Sequence, residues 1–219
     1  MKNSPAVLHT AFLAIVAIAF MWSFVGCADR VTWALEVWPA VIGIGILIAT
    51  YGRFRFTTLV YTLIALHAIV LMVGGHYTYA HVPLFDWLKG PMGWQRNHYD
   101  RLGHFMQGFV PALIAREILL RTTALKRGRM LSALVLSVCM GISACYELLE
   151  FGAAKWMGAD ADAFLGTQGD PWDTDWDMFF CLIGAISALL LASWYHDRQM
   201  NRLTAESVPS RSLDRNQPA

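Results

Sequence analysis

The chain has 219 residues, of which 56% are hydrophobic and 15% are charged, and its mean hydropathy is +0.43. This composition is too apolar for an ordinary soluble domain. The formal net charge is +1 and there is no block of basic residues interleaved with aromatics, which excludes nucleic acid as a partner. We therefore interpret the chain as an integral membrane protein.

Apolar runs long enough to cross a bilayer follow one another along the sequence. They cover residues 6–27, 33–51, 56–75, 102–120, 130–151 and 176–195. The runs predict an all-α fold, a polytopic membrane helix bundle with about six transmembrane helices. The second run is the least regular, because Glu36 and Pro39 lie near its start. We expect one membrane domain over residues 1–197 and a disordered tail over residues 198–219, where apolar residues are rare.

Basic residues are concentrated on one side of this predicted bundle, which the positive-inside rule assigns to the cytoplasm together with both termini. They are Lys2, Arg53, Arg55, Arg121, Lys126, Arg127, Arg129, Arg198 and Arg202. Eight of the nine tryptophans lie toward the other side, which is typical of an interfacial belt. In the long loop on that side, the apolar residues between Val82 and Leu88 predict a short interfacial helix.

The four cysteines show no CxxC pairing, and Cys139, Cys145 and Cys181 lie inside apolar runs, so we expect them to serve packing. Cys27 ends the segment SFVGC, which loosely resembles a bacterial lipoprotein signal. Phe24 stands where that signal usually has leucine, and the preceding run is long enough to span a membrane. We expect a retained first helix, with lipidation of Cys27 as the alternative.

Two apolar segments carry ionisable residues that need a local reason to be there. In DRLGHFMQGFVP, Asp100 and His104 are four residues apart and so share one helical face. In CYELLEFG, Glu147 and Glu150 lie near the end of another apolar run. Because these two helices would run antiparallel, His104 and Glu147 would reach a similar depth, about 6 Å inside the outer boundary.

A third contribution comes from GDPWDTDWDMF, where the last apolar run begins. With a helix starting at Pro171, Asp170 would be its N-cap and Asp173 a capping-box acid. For these two residues we weigh capping and ligand roles evenly. Asp177 is deeper, and capping does not explain it.

Together these residues form an oxygen-rich set with one imidazole, a donor set that suits Zn²⁺, Mn²⁺ or Mg²⁺. The candidate metal ligands are His104, Glu147, Glu150, Asp173 and Asp177. Asp100, His104 and Glu147 are the candidate catalytic residues, with His104 or Glu147 as general base and Asp100 orienting His104. A hydrogen-bond network that only fixes helix packing is an equal alternative.

The motifs DRLGHFMQG, YELLEF and LGTQGDPWDTDWDM resemble those of the YjdF-type family of uncharacterised bacterial inner-membrane proteins, from about Gly75 to Asp197. More distantly, the chain is similar to VanZ-like membrane proteins, some of which are linked to glycopeptide-antibiotic tolerance. Where those proteins tend to have Gln and Asn, this sequence has Glu150 and Asp177. The resemblance implies a multi-pass protein of the bacterial inner membrane with a polar site at its outer face.

Three functions are compatible with these features. The first is a membrane enzyme acting on a lipid or lipid-linked envelope substrate at the outer leaflet. The second is a small transporter or ion relay, although the polar groups crowd one face and no internal repeat is visible. The third is a structural or assembly protein whose polar cluster only holds helices together.

Overall fold

The computed structural model describes residues 5–158 and 167–207, and these residues form a bundle of α-helices with no strand among them. The helices are α1 (Pro5–Phe24), α2 (Arg30–Thr50), α3 (Thr58–Tyr77), α4 (Pro83–Met92), α5 (Tyr99–Thr122), α6 (Arg129–Met157), α7 (Asp173–Ser187) and α8 (Ser193–Ser207). A π-helical turn, Ala188–Ala192, joins α7 to α8 without a break. The predicted all-α membrane bundle is confirmed.

In the described part of the chain, five helical stretches are long and apolar enough to cross a membrane. They are α1, α2, α3, α6 up to Trp156, and the continuous stretch Asp173–Ala205. The remaining predicted span, at residues 102–120, forms α5, a helix of 24 residues. Its charged residues make it less apolar than the other five, and several of them, including Asp100, Arg116 and Glu117, are buried against neighbouring helices.

Two helix ends differ from the sequence expectation. The last apolar helix begins at Asp173, and its N-cap position is Trp172, so Asp170 is not the N-cap. Asp170 instead accepts a hydrogen bond from the backbone amide of Trp172 (3.0 Å), which closes a turn before the helix. The boundary predicted at residue 197 falls inside α8, which continues to Ser207, and residues 208–219 lie outside the described part.

Two helices of the bundle, α5 and α3, each pack against several others. Helix α5 packs against α3, α6 and α7, and α3 also packs against α1 and α2. The main apolar core lies between these helices at the end that carries α8. Cys139 and Cys181 are fully buried in it, as a packing role predicts, whereas Cys145, also predicted to pack, is exposed. The predicted short helix of the long loop is present as α4, with Leu84 and Trp87 exposed.

Backbone contact between α5 and α7 sets their spacing. A Cβ atom on Gly108 would lie 1.8 Å from the carbonyl oxygen of Cys181, and one on Gly184 would lie 2.0 Å from that of Phe105. Only glycine permits this approach, as at many helix contacts in membranes. His104, one turn from Gly108, and Asp177, two turns from Gly184, are therefore brought close together.

Candidate functional site

His104 of α5 is the centre of a buried polar cluster. Its Nε2 lies 3.5 Å from Asp100 Oδ1 on the same helix and 3.8 Å from Asp177 Oδ2 on α7. Its Nδ1 lies 3.9 Å from Glu147 Oε1 on α6. Helices α5, α6 and α7 thus each supply an ionisable group to one place, as the sequence predicts.

The cluster is enclosed and offers free ligand atoms. Asp100, His104, Glu147 and Asp177 are each less than 9% exposed. One donor atom each from Asp100, His104 and Asp177 lie within 4.8 Å of one another. Asp177 Oδ1 and Glu147 Oε1 are buried and accept no hydrogen bond from the described residues. Buried carboxylate oxygens without donors are costly, and a bound cation would remove that cost.

The Nδ1 side of the imidazole has a side-chain partner of its own. Nδ1 lies 3.2 Å from Gln107 Oε1, which is an acceptor, and Glu147 Oε1 lies on the same side. A proton on Nδ1 satisfies this contact and leaves the lone pair of Nε2 directed toward Asp100 and Asp177. When a histidine binds a metal through one ring nitrogen, a hydrogen bond from the other ring nitrogen commonly orients the ring.

The other two predicted ligands, Glu150 and Asp173, lie in different surroundings from the cluster. Glu150 follows Glu147 by three residues on α6 and is partly exposed. Asp173 is buried at the start of α7 and is paired with the guanidinium groups of Arg96 and Arg101. Its carboxylate charge is therefore already balanced, and we place it outside the group that could hold a cation.

Two arginines form a layer between the cluster and the segment that precedes α7. Arg101 donates to Asp170 Oδ2 (2.8 Å) and lies over the ring of Trp176, with 5.1 Å from its Cζ to the ring centre. Arg96 lies 3.6 Å from Asp100 Oδ2. The Trp172 amide and the Arg101 guanidinium hold the pKa of the Asp170 carboxyl below its usual value. This layer fixes the segment before α7 against the start of α5.

Glu36 of α2 also belongs to this neighbourhood and is absent from the predicted site residues. Glu36 is 5% exposed, and the hydroxyl of Tyr146 donates to its Oε2 (3.2 Å). The sequence does contain a signal for Glu36, because an acid inside an apolar run needs a polar partner, as Asp100 also does. In the sequence pattern Glu36 stands out only as an irregularity of the second run.

A second buried polar cluster, also missed, lies at the other end of α5. Glu117 and His196 are both fully buried, and His196 Nε2 lies 2.8 Å from Glu117 Oε2. Glu117 also accepts from the amide and hydroxyl of Thr57 and from Arg121 (2.6 Å). Both carboxylate oxygens have partners, so this second cluster is a structural tie between α3, α5 and α8.

An apolar groove of about 490 Å³ runs along α2, α3 and α5 below the polar cluster. Its lining includes Ala40, one helical turn from Glu36, and Val110, six residues from His104. Among the described lining residues His67 alone is ionisable, and its Nε2 is buried without a hydrogen bond to the described residues. At its Val110 end the groove comes within six residues of His104 along α5, or about 9 Å.

The fold and the site define a multi-pass helical membrane protein with acids and an imidazole buried near one end of the bundle. Residues 8–198 match the model of a family described as "Predicted membrane protein (DUF2238)". The chain is 48% identical over 198 residues to "Inner membrane protein YjdF" of Escherichia coli (strain K12). The matched region covers 90% of this chain and 94% of that protein. No solved structure matches it.

The chain therefore belongs to the DUF2238 family, and it is a multi-pass protein of the inner membrane. This agrees with the YjdF-type resemblance of its motifs. The more distant VanZ-like resemblance, the cytoplasmic position of both termini and the retained first helix, with lipidation of Cys27 as its alternative, stay predictions.

Proposed function

We propose that this protein is a divalent-metal-dependent enzyme that acts on a lipid or lipid-linked envelope substrate at the outer leaflet. The observation that carries the proposal is the convergence of Asp100, His104 and Asp177 within 4.8 Å, with carboxylate oxygens left without donors. Two carboxylates and one imidazole match the donors that Zn²⁺, Mn²⁺ and Mg²⁺ accept, zinc and manganese best.

Within this proposal each residue has a role that follows from its position. His104 Nε2, Asp100 and Asp177 hold the cation, and Gln107 keeps the imidazole proton on Nδ1. A bound divalent ion would polarise a phosphoryl or carbonyl oxygen and acidify a water molecule. Glu147 lies beside the set without a hydrogen bond on Oε1, so it can take a proton from a nucleophile. Glu150 extends the acidic surface toward the outer end of α6.

The membrane environment supports a lipid substrate. The apolar groove ends near the cluster, and its lining suits a hydrocarbon chain rather than a soluble molecule. Exposed tryptophans at the same end, Trp172 and Trp176 among them, favour contact with the headgroup layer. A substrate lying in the groove would present its polar end to His104 without leaving the bilayer.

Metal content of the purified protein is the direct test. We expect about one divalent ion per chain after equilibration with Zn²⁺, Mn²⁺ or Mg²⁺ in turn and removal of free ion, measured by elemental analysis. His104→Ala and Asp177→Asn should each lose it, whereas Asp175→Asn, an exposed acid on the same helix, should keep it. Absence of stoichiometric metal from the wild type with all three ions would contradict the proposal.

The catalytic step needs its own test. Inner-membrane lipid extract is incubated with the metal-loaded protein and analysed by mass spectrometry for converted species. Glu147→Gln should abolish conversion while retaining the metal. Wild-type conversion by both Glu147→Gln and His104→Ala would exclude catalysis at this site.

A structural role is the second candidate, and one observation favours it. Arg96 and Arg101 pair with Asp100, Asp170 and Asp173, so part of the polar set already ties helix ends together. This alternative predicts that variants of the cluster are less stable in detergent and that no divalent ion stabilises the wild type.

A further inference from the structure

A cationic cavity lies at the opposite end of the bundle from His104. It has a volume of about 210 Å³ and lies where the beginnings of α1 and α3 meet α8. Its polar lining consists of His9, Arg55, Thr57, Thr58, Gln199 and Arg202, with no acidic residue among the described lining residues. Gln199 Oε1 accepts from the amide of Leu59 (2.9 Å), which holds α8 against the start of α3.

The two arginines of this cavity have no acidic partner among the side chains that the structure describes. Arg55 and Arg202 are exposed, and neither forms an ion pair with a described acid. The nearest described acids are otherwise engaged: Glu117 is bound by Thr57, Arg121 and His196, and Asp197 by Arg116 and Arg127. The cavity therefore attracts an anion.

His9 joins this cavity to a second, apolar groove. The groove has a volume of about 310 Å³ and runs between α1, α2 and α3 from Ala6 to Val16 of α1. The imidazole of His9 lies on the wall of both spaces and is held by Tyr51 Oη (2.9 Å) and Thr58 Oγ1 (3.2 Å). The ten residues from Ala6 to Val16 correspond to about 15 Å of helix. This length is roughly half of a bilayer core of about 30 Å and so equals the depth of one leaflet.

We propose that the cationic cavity and the groove of α1 are one binding site for an anionic phospholipid. The phosphate would lie between Arg55 and Arg202, and one acyl chain would follow the groove along α1. Basic pockets between transmembrane helices bind anionic headgroups in this way. The positive-inside rule assigns this end to the cytoplasmic leaflet. The site shares no residue with the His104 cluster, although its groove has Ile44, Leu47, Ile64 and Ala68 in common with the groove that ends near that cluster. Arg55 and Arg202 belong to neither groove, so variants of these two arginines test this site independently of the proposed function.

The test uses the full-length protein in a neutral detergent, with binding of dioleoyl phosphatidylglycerol measured by native mass spectrometry and by thermal stabilisation. We expect phosphatidylglycerol to bind and stabilise, and dioleoyl phosphatidylethanolamine to do so at least tenfold more weakly. The double variant Arg55→Gln/Arg202→Gln should bind phosphatidylglycerol about thirtyfold more weakly, the loss expected for two basic contacts near a membrane surface. Arg53→Gln/Arg129→Gln removes the same charge from exposed positions outside the cavity and should bind as the wild type does.

The apolar half of the site has a matched pair of variants. Ala65→Phe narrows the groove and should weaken phosphatidylglycerol binding, whereas Ala11→Phe on the exposed side of α1 should not. Inorganic phosphate and glycerol phosphate should neither stabilise the protein nor displace the lipid at millimolar concentration. The proposal is overturned if the two lipids bind equally, or if both double arginine variants lose the same phosphatidylglycerol affinity. It is also overturned if inorganic phosphate stabilises the protein as much as the lipid does.

Discussion

Gly108 of α5 and Gly184 of α7 bring the two helix backbones into direct contact. A Cβ atom on either residue would lie 2.0 Å or less from a carbonyl oxygen of the opposite helix. His104 lies one turn from Gly108, and Asp177 lies two turns from Gly184. The 3.8 Å separation of His104 Nε2 and Asp177 Oδ2 therefore depends on glycine at both positions.

The first prediction concerns this contact. Gly184→Ala should force α7 away from α5 and lower stability by about 1–3 kcal/mol, the usual cost of overpacking. Thermal unfolding in detergent measures the loss, and metal content should fall with it because Asp177 moves away from His104.

Gly141→Ala on α6 is the matched control, because a Cβ atom there meets nothing within 4 Å. Alanine is favoured over glycine inside a helix by about 0.5–1 kcal/mol, so this variant should be as stable as the wild type or more so. An unfolding temperature of Gly184→Ala equal to that of Gly141→Ala would show that the close approach is not required.

The second prediction concerns the orientation of the imidazole. Gln107→Ala removes the acceptor on the Nδ1 side of His104 and should weaken metal binding by about 10- to 100-fold, as loss of such supporting contacts does. Gln107→Glu retains an acceptor and should bind the metal close to the wild-type level. Competition with a chelator measures both affinities, and identical values for the alanine and glutamate variants would contradict this role.

The third prediction separates the two buried clusters. Glu117→Ala leaves Thr57, Arg121 and His196 without their acceptor and should destabilise the protein by about 3–5 kcal/mol, the cost of breaking a buried pair. Metal content per folded chain should be unchanged, because Glu117 and His104 are thirteen residues apart on α5, about 20 Å along the axis. Loss of metal without loss of stability would mean that the clusters are coupled.

The fourth prediction is a pH dependence that comes from Asp170, in the segment before α7. The pKa of Asp170 is held below its usual value of 3.8 by the Trp172 amide and by Arg101. A lowered pKa in the folded state means that the ionised form contributes stability, which is fully present above pH 3.8 and is lost as the pH falls through the folded-state pKa.

Asp170→Asn cannot ionise, so its unfolding temperature should lie below that of the wild type at neutral pH. The difference between the two should shrink as the pH falls below 4. Thermal unfolding between pH 3 and pH 7 measures it, and a difference that is constant over this range would contradict the assignment.

The sequence alone determined that this is a polytopic helical membrane protein, because apolar runs of spanning length have few other stable conformations in a bilayer. It also determined that Asp100, His104, Glu147 and Asp177 would share one end of the bundle, since helical rise fixes their depth. Depth along a helix is a local property and can be counted from residue numbers.

Only the tertiary structure decided which of these groups meet and which are already paired. Asp173 has the same apparent ligand quality as Asp177, yet it is paired with Arg96 from the segment before α5 and with Arg101 of α5. Glu36 and Tyr146 are 110 residues apart, and Glu117 and His196 are 79 apart. Such partners depend on how helices rotate and pack against one another, and no spacing within a single helix encodes that rotation.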